Sequence, residues 1–308
     1  MATNEGLTST IATTTLVLGG RPVSLRRAGA ADGPALVLLH GLPTSSFLWR
    51  RCLPGLATAL PGWRIVAPDL PGYGRSAPWP GAGPRALGRF LDALLRELGV
   101  GRFALAGHDL GGLVALTDAV VRVGKLPGTP SPEREGGPRL ERLILLDTTI
   151  YPTPPLVLGL LPSLVPPFPE IALAWLRRAG AGTRRRRYLE GLRGLLAPGT
   201  ELTPEEEVEY AAPYEGIAGW REATRSIRAL AGQAGFVLRC TAHLRDLALP
   251  TRLIWGERDP FFPPATAERL RRVIPGAEGR VHLIAGAGHF PQEDRPSEVT
   301  RLIAEFLA

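Results

Sequence analysis

Short runs of hydrophobic residues recur along the chain and predict eight β-strands. The first two runs are separated by Gly19 and Gly20, a pair typical of a tight turn, so we expect them to form a hairpin. The later runs are continuous and rich in Val, Ile and Leu, which is typical of parallel strands buried on both faces. The predicted strands are residues 15–18, 23–26, 35–40, 64–68, 103–107, 142–147, 251–256 and 281–285.

Between these strands, hydrophobic residues follow helical spacing. Residues 85–98 illustrate the pattern, because Leu87 and Leu91 fall on one face together with the leucines that follow. Ser297, just after Pro296, is the predicted N-cap of the last helix. Alternating strands and helices are typical of a doubly wound, mostly parallel sheet, so the chain is expected to be an α/β protein. The other predicted helices are residues 110–123, 265–273 and 297–307.

One long stretch breaks this alternation. Residues 150–245 carry no strand pattern, but they contain helical patterns interrupted by proline, for example at 170–178 and 204–210. A helical insertion between two strands can cover the carboxyl ends of the sheet, where open α/β sheets bind their ligands. The sequence therefore predicts a core made of residues 1–149 and 246–308, with residues 150–245 as a helical cap.

The charge of the chain changes this picture little. The 308 residues include 36 Lys and Arg against 29 Asp and Glu, a net charge of +7, and Lys125 is the only lysine. The arginines are scattered apart from the run 184–187, and we find no zinc-finger spacing, RNA-binding aromatic signature or phosphate-binding loop. A solvated, arginine-rich surface is expected, with no nucleic-acid partner.

Cysteine usage and the N-terminus indicate a cytoplasmic location. Cys52 and Cys240 are the only cysteines and are too few for a disulfide framework. The first 15 residues lack the charged start and apolar centre of a signal peptide. No uninterrupted apolar run reaches the roughly 18 residues that a membrane span needs, so no membrane partner is expected.

Glycines and polar side chains gather where the predicted strands end. The motif GHDLG at 107–111 has the form of a nucleophile elbow, in which two glycines allow a tight turn and the central side chain projects from the sheet. Asp259 and His289 follow later strands, in the order nucleophile, acid, histidine. With the motif HGLP at 40–43, the chain resembles the α/β-hydrolase superfamily. That resemblance implies an α/β-hydrolase fold, with a mostly parallel eight-stranded sheet flanked by helices.

An aspartate at the elbow predicts a particular reaction. Attack by Asp109 on an sp³ carbon that carries a leaving group gives a stable alkyl ester, and water can then hydrolyse that ester. His289 would activate the water as a general base, and Asp259 would orient His289. The backbone N–H groups of Leu42 and Leu110 would bind the tetrahedral oxyanion. This chemistry requires no metal ion and no organic cofactor.

Four further polar residues lie near these motifs. Asp147 ends a predicted strand and is an alternative triad acid, because some dehalogenases place their acid there. His40, Asp69 and His108 are expected to brace their loops rather than take part in proton transfer.

Two families within the superfamily share these features. The stretches 40–50, 202–214 and 288–294 are similar to the corresponding stretches of haloalkane dehalogenases. Epoxide hydrolases share the His-Gly-x-Pro loop, the aspartate elbow and the terminal histidine. The resemblance therefore implies either halide displacement or epoxide opening.

The side chains that bind a leaving halide in dehalogenases differ in this chain. Leu110 stands where that family usually has Trp, and Leu42 stands where many members have Asn. Neither leucine side chain can donate a hydrogen bond. A halide would need donors from the cap, and the candidates are Trp175 and Trp220.

Epoxide opening needs a proton donor for the leaving alkoxide, and cap tyrosines usually supply it in that family. The second of these tyrosines is missing around 226–228, so another donor would have to act. The candidates are Tyr151, Tyr210, Tyr214 and His243.

We expect an epoxide hydrolase that acts on small apolar substrates, since the cap run 156–168 is strongly apolar. The alternative is a haloalkane dehalogenase with an unusual halide site. A non-catalytic binding protein of the same fold is a third hypothesis, although no triad position has been lost. The sequence does not indicate an oligomeric state.

Overall fold

The structure is a computed structural model that describes residues 11–124, 126, 128–151, 168–277 and 279–308. Its strands are β1 (Ala12–Leu18), β2 (Arg21–Gly29), β3 (Ala35–Leu39), β4 (Arg64–Pro68), β5 (Arg102–His108), β6 (Arg139–Leu146), β7 (Thr251–Gly256) and β8 (His282–Ile284). They form one sheet in the order β1-β2-β4-β3-β5-β6-β7-β8. β1 pairs with β2 in the expected hairpin and β2 pairs antiparallel with β4, whereas every pairing from β3 to β8 is parallel. The predicted mostly parallel, eight-stranded sheet is confirmed.

Helices cover both faces of this sheet. Their bounds are α1 (Leu53–Ala59), α2 (Pro84–Glu97), α3 (Leu110–Arg122), α4 (Phe168–Arg178), α5 (Ala181–Arg193), α6 (Pro204–Glu215), α7 (Ala218–Gly232), α8 (Ala234–Ala242), α9 (Pro264–Val273), α10 (Pro291–Asp294) and α11 (Pro296–Leu307). The predicted N-cap of the last helix is wrong. α11 begins at Pro296 with Arg295 as its N-cap, because the fixed φ and missing N–H of proline suit the first helical position.

The central strands are buried on both faces, as their continuous hydrophobic runs predict. All five residues of β3 and all five of β4 are buried. Alternate side chains enter two separate clusters, since successive residues of a strand point to opposite faces. Val37 and Leu105 pack with α2 and α3, whereas Leu38 and Ala106 pack with α1 and α11. The sheet is thus held rigidly, and the carboxyl ends of its parallel strands share one edge.

Between β6 and β7, the described residues form the five helices α4 to α8 and no strand. Tyr188 of α5 and Tyr210 of α6 join the hydrophobic cluster that contains α1 and α11, so the cap is packed onto the core. The cap boundaries at 150 and 245 stay a prediction, and most of the apolar run 156–168 lies outside the described residues. Across the described ranges, no helix is both long and apolar enough to cross a membrane.

Candidate active site

Asp109 stands on a tight turn between β5 and α3. Its φ is +51°, a left-handed conformation that non-glycine residues rarely adopt. Two glycines make the turn possible. A Cβ on Gly107 would overlap the backbone of Gly111, and a Cβ on Gly111 would approach the carbonyl oxygens of His40 and Leu39 to 2.6 Å. The motif Gly-x-Asp-x-Gly is therefore required by space, and it projects the carboxylate from the edge of the sheet.

The Asp109 carboxylate is bound by the two expected backbone donors. The N–H of Leu42 donates to Oδ1 of Asp109 over 2.7 Å, and the N–H of Leu110 also hydrogen-bonds this carboxylate. Oδ1 is thus held by the N–H of Leu42, while Oδ2 faces His289. An oxygen that develops negative charge at this carboxylate would lie against the same two backbone donors.

His289 lies between the carboxylates of Asp109 and Asp259. Its Nδ1 is 2.9 Å from Oδ2 of Asp259, and its Nε2 is 3.8 Å from Oδ2 of Asp109. The second distance is too long for a hydrogen bond and leaves Nε2 able to bond a water molecule. Oδ1 of Asp259 accepts from the N–H groups of Phe261 and Phe262 over 2.7 and 3.0 Å, so the orientation of this carboxylate is fixed.

Burial and charge set the protonation of these three groups in opposite directions. Burial raises the pKa of Asp109, and the neighbouring His289 offsets only part of this rise. Burial lowers the pKa of His289, but the Asp259 and Asp109 carboxylates outweigh it and raise that pKa above its ordinary value. Burial likewise opposes the ionisation of Asp259, but His289 and the two backbone donors lower its pKa overall. An ionised Asp259 beside a readily protonated imidazole is the arrangement that a general base needs.

Three polar residues brace the loops around this triad. Nε2 of His40 accepts from the N–H of Leu70 over 2.8 Å. Asp69 accepts from backbone N–H groups of the loops at 46 and 75, each over 2.8 Å. Nε2 of His108 lies 2.7 Å from the carbonyl oxygen of His289. Burial lowers the pKa of both His40 and His108, which favours neutral rings with a bracing role.

Asp147, the alternative triad acid, lies behind the triad. Its Oδ1 accepts from the N–H of Gly256 over 2.8 Å, whereas the acid hydrogen-bonded to His289 is Asp259. The side chain of Asp147 is fully buried. The geometry thus favours Asp259 as the partner of His289.

Three predicted cap donors have their polar groups engaged elsewhere, and a fourth, Trp175, lies at the surface. The indole N–H of Trp220 donates to the carbonyl oxygen of Tyr214 over 2.9 Å. Trp175 is 46% exposed and stacks under a guanidinium group, and Tyr210 donates its hydroxyl to Glu293. His243 pairs with a neighbouring aspartate over 2.8 Å on a part-exposed surface. These four side chains are therefore not positioned as the expected donors.

The other two predicted donors are buried near the edge of the cap. Tyr151 packs under the guanidinium group of Arg269, 3.6 Å from its ring centroid. Tyr214 stacks on Tyr188 with the ring centroids 4.2 Å apart. Burial raises the pKa of Tyr214 well above its ordinary value, and the nearby hydroxyl of Tyr73 contributes to this rise. Tyr214 thus belongs to a group of buried phenols near the elbow.

Tyr73 is the functional candidate that sequence reasoning missed. It lies in the loop after β4, and its buried hydroxyl lies close to the Ser226 side chain of α7 but forms no hydrogen bond of normal geometry with the described residues. Burial raises the pKa of Tyr73, and the charges of Glu222 and Asp109 contribute to this rise, which places the hydroxyl near the nucleophile. The position of Tyr73 between two glycines after a strand is the one signal in the sequence that could have identified this residue.

In the part of the chain that the structure describes, no group of three His, Cys, Asp or Glu side chains could hold a metal ion.

Comparisons with known proteins show the family to which the chain is similar. Residues 36–302 match the alpha/beta hydrolase family. The chain is 28% identical to epoxide hydrolase A of Mycobacterium tuberculosis, over 91% of this chain and 92% of that protein. It is 30% identical to a haloalkane dehalogenase of Mycobacterium marinum, over 89% of this chain and 85% of that protein. The solved structure of haloalkane dehalogenase DbeA from Bradyrhizobium elkani has a TM-score of 0.76 at 23% identity, covering 97% of this chain and 98% of that one, and it supports the fold.

Proposed function

The chain belongs to the alpha/beta hydrolase family, and we propose that it is an epoxide hydrolase that forms an ester on Asp109. Relatives named epoxide hydrolase and haloalkane dehalogenase are about equally similar to it, so the family alone leaves the leaving group open. Hydrolase relatives that span most of the chain also argue against a non-catalytic binding protein. The choice between the two reactions rests on the donors that surround the nucleophile.

The first step forms the ester. Oδ2 of Asp109 attacks an epoxide carbon while Oδ1 stays bound to the N–H of Leu42. The carbon–oxygen bond of the epoxide breaks, and the freed oxygen takes the hydroxyl proton of Tyr73. The products of this step are an alkyl ester of Asp109 and a phenolate at Tyr73.

The second step hydrolyses the ester. Water adds to the Asp109 carbonyl carbon and gives a proton to Nε2 of His289, while the oxyanion lies against the two backbone donors. The tetrahedral species then releases the alkoxide, which takes the proton from His289 and leaves as a diol. The Asp109 carboxyl returns its proton to Tyr73, so one epoxide and one water give one vicinal diol and the enzyme is restored.

The observation that carries this proposal is the buried hydroxyl of Tyr73, which forms no hydrogen bond of normal geometry and lies near enough to Asp109 to feel its charge. A leaving alkoxide needs a proton, and a phenol can supply one. A leaving halide needs N–H or similar donors, but the side chains of Leu42 and Leu110 offer none and the indole N–H of Trp220 is already engaged. Among the described candidates, the Tyr73 phenol near Asp109 and the engaged indole of Trp220 favour epoxide opening.

The direct test measures both reactions on the same preparation. An aryl epoxide such as styrene oxide should yield diol, while a primary bromoalkane of similar size should release little bromide. The reverse result, bromide release without diol formation, would falsify the epoxide proposal and favour the dehalogenase. Small apolar substrates are expected to react faster than carboxylated ones, because the negative charges of Asp109 and Glu222 lie near the Tyr73 hydroxyl.

The ester itself is tested with His289→Ala. This variant should form the ester but hydrolyse it slowly, so the tryptic peptide that contains Asp109 should gain the mass of one substrate molecule. The double variant His289→Ala/Asp109→Asn is the matched control and should gain nothing. Persistent turnover by His289→Ala with no adduct on the peptide would contradict the covalent scheme.

A further inference from the structure

A second buried carboxyl group lies directly behind the triad. Asp147 follows β6 and Asp259 follows β7, and these strands are paired in parallel, so their carboxyl ends are adjacent. Asp147 is 0% exposed and Asp259 is 5% exposed, and the two side chains are within hydrogen-bonding reach of each other. The reaction scheme above uses Asp259 but gives Asp147 no role.

The hydrogen bonds of the two carboxyl groups differ sharply. Asp259 accepts from two backbone N–H groups and from Nδ1 of His289. Asp147 accepts one hydrogen bond, from Gly256 to Oδ1, and its Oδ2 is buried with no donor in the described part of the chain. An ionised Asp147 would leave Oδ2 unsatisfied beside a second negative charge, which is costly in a buried site. A proton on Oδ2 removes both costs, because this atom then becomes a donor toward Asp259.

We propose that Asp147 is a positioning residue that carries a proton and donates a hydrogen bond from Oδ2 to the Asp259 carboxylate. The inference rests on the proposed roles of Asp109, His289 and Asp259. The hydrogen bond fixes the Asp259 carboxylate, so the imidazole keeps the orientation that directs Nε2 toward Asp109. Asp147 thus orients Asp259, and Asp259 orients His289, the general base that faces Asp109.

The surroundings of Asp147 agree with a neutral carboxyl group. Burial and the charge of Asp259 hold the pKa of Asp147 well above its ordinary value, and the charge of Asp294 on α10 adds to this effect. The Asp294 carboxylate is itself bound by the N–H groups of Gly288 and Ala197 over 2.7 and 3.0 Å. The proton of the pair belongs on Asp147 rather than Asp259, because Asp259 faces His289 and has more donors.

The backbone conformation of Asp147 makes asparagine the most suitable substitution for a test. The φ of Asp147 is +39°, in the left-handed region where Asn is among the best tolerated residues. The amide of Asp147→Asn can accept from Gly256 and donate to Asp259, so it mimics a protonated Asp147 permanently. Asp147→Ala removes both hydrogen bonds and serves as the matched variant without a donor.

Kinetics of the two variants form the first part of the test. Asp147→Ala should lower kcat about tenfold to a hundredfold with little change in KM, since losing one hydrogen bond to a charged group has this effect on a barrier. Asp147→Asn should recover most of that loss and keep the wild-type midpoint of the acidic limb of the pH–rate profile. A midpoint that moves to lower pH in Asp147→Asn would show that the native residue is ionised, because a negative charge would have been removed beside His289. That result would overturn the proposal.

Infrared spectroscopy tests the proton without using turnover. The wild-type minus Asp147→Asn difference spectrum should contain the carbonyl band of a buried, protonated carboxylic acid, shifted in heavy water. A carboxylate band in its place overturns the proposal, whatever the substrate proves to be. Failure of the epoxide assay alone leaves this band in place, so the two proposals fail separately. If Asp147→Asn does not fold, Asp147→Ser, whose hydroxyl can still donate, replaces it in both measurements.

Discussion

At the scale of single residues, the proposed choice of an epoxide over a halide substrate depends on Tyr73. If its hydroxyl protonates the epoxide oxygen, Tyr73→Phe should lower kcat/KM for epoxides roughly 10²- to 10⁴-fold, the usual contribution of a general acid. The ring contact with His40, with centroids 5.8 Å apart, survives this change. Initial rates of diol formation under subsaturating substrate measure the effect.

Tyr188→Phe is the matched control for this prediction. The Tyr188 hydroxyl donates to the carbonyl oxygen of Pro43 over 3.2 Å, so its loss removes a buried phenol without removing the proposed acid. Its kcat/KM should stay within a few-fold of wild type. Equal losses in both phenylalanine variants would mean that Tyr73 acts through packing, and the donor would have to be sought elsewhere.

The triad histidine predicts the pH dependence of turnover. His289 must be neutral to accept the proton of water. Asp109 is an uncharged ester at that stage, so the Asp259 carboxylate is the group that raises the pKa of His289 against burial. The protonated form therefore persists to a higher pH than in an isolated histidine, and kcat should fall as pH decreases through a midpoint above 6.5. Steady-state rates at saturating substrate between pH 5 and 9 give this midpoint. A midpoint clearly below 6.5 would contradict this account of the site.

The sequence predicts the triad better than it predicts the side chains that donate a proton or hydrogen bond to the leaving group. Asp109, Asp259 and His289 stand in short motifs at strand ends, and parallel strands bring such ends to one edge regardless of the side chains between them. The donors depend on contacts between distant segments. Whether the Trp220 indole is free is decided by the carbonyl oxygen of Tyr214, and the burial of the Tyr73 hydroxyl depends on α7 lying over its loop.

At the scale of elements, periodicity predicts the sheet better than it predicts the cap. The buried strands follow their hydrophobic runs, whereas α6 extends from Pro204 to Glu215, five residues beyond the predicted helix, with Pro213 inside its last turn. Its start is readable, because Thr203 and Glu206 form a capping box before the helix. Its end depends on packing against neighbouring helices, which the local sequence does not contain.

The arginine run 184–187 is an element-scale feature whose role the structure clarifies. The guanidinium group of Arg184 in α5 donates to the carbonyl oxygens of Leu176 and Ala179 at the end of α4 and of Glu215 at the end of α6. Terminal carbonyls of helices lack partners within their own helix and carry partial negative charge. Arg184 therefore joins the ends of α4 and α6 to α5 within the cap.

Removing this contact should loosen the cap measurably. We expect Arg184→Ala to lower the free energy of unfolding by about 1–2 kcal/mol, since several hydrogen bonds to a charged group are lost. Arg186→Ala is the matched control, because Arg186 is 72% exposed and its only described ion pair, with Glu190, is 3.7 Å long. Chemical denaturation of both variants measures the difference. Equal stability of the two would show that Arg184 does not hold the cap.

At the scale of the whole molecule, many of the arginines form ion pairs with acidic residues. Arg50 and Arg51 of the core both pair with Glu206 of α6, at 2.6 and 2.7 Å. Arg50 also pairs with the buried carboxylate of Glu293 in α10, which accepts the hydroxyl of Tyr210 as well. These five residues form a polar junction between cap and core, close to the loop that carries Leu42.

This junction makes the stability of the molecule depend on pH. The Glu206 carboxylate is only 17% exposed, and partial burial opposes its ionisation. The N–H of Thr203 and the guanidinium groups of Arg50 and Arg51 outweigh that cost and lower the pKa of Glu206 to about 2. A group whose pKa is lower in the folded state stabilises that state above its unfolded pKa, and this contribution is lost as pH falls toward the folded pKa. The window here lies between the ordinary value of 4.5 and about 2.

Glu206→Gln should therefore destabilise the protein at neutral pH but not at low pH. We expect a loss of about 1–2 kcal/mol at pH 7, allowing for solvent screening of a part-exposed pair, and a loss that shrinks as pH falls from 4.5 toward 2. Glu207→Gln is the control on the same helix, since Glu207 pairs with Arg193, which is 54% exposed, and should cost less. Urea denaturation of wild type and both variants at several pH values measures these differences. A Glu206→Gln deficit that stays constant down to pH 2 would mean that the loss comes from packing rather than from the charge that joins cap to core.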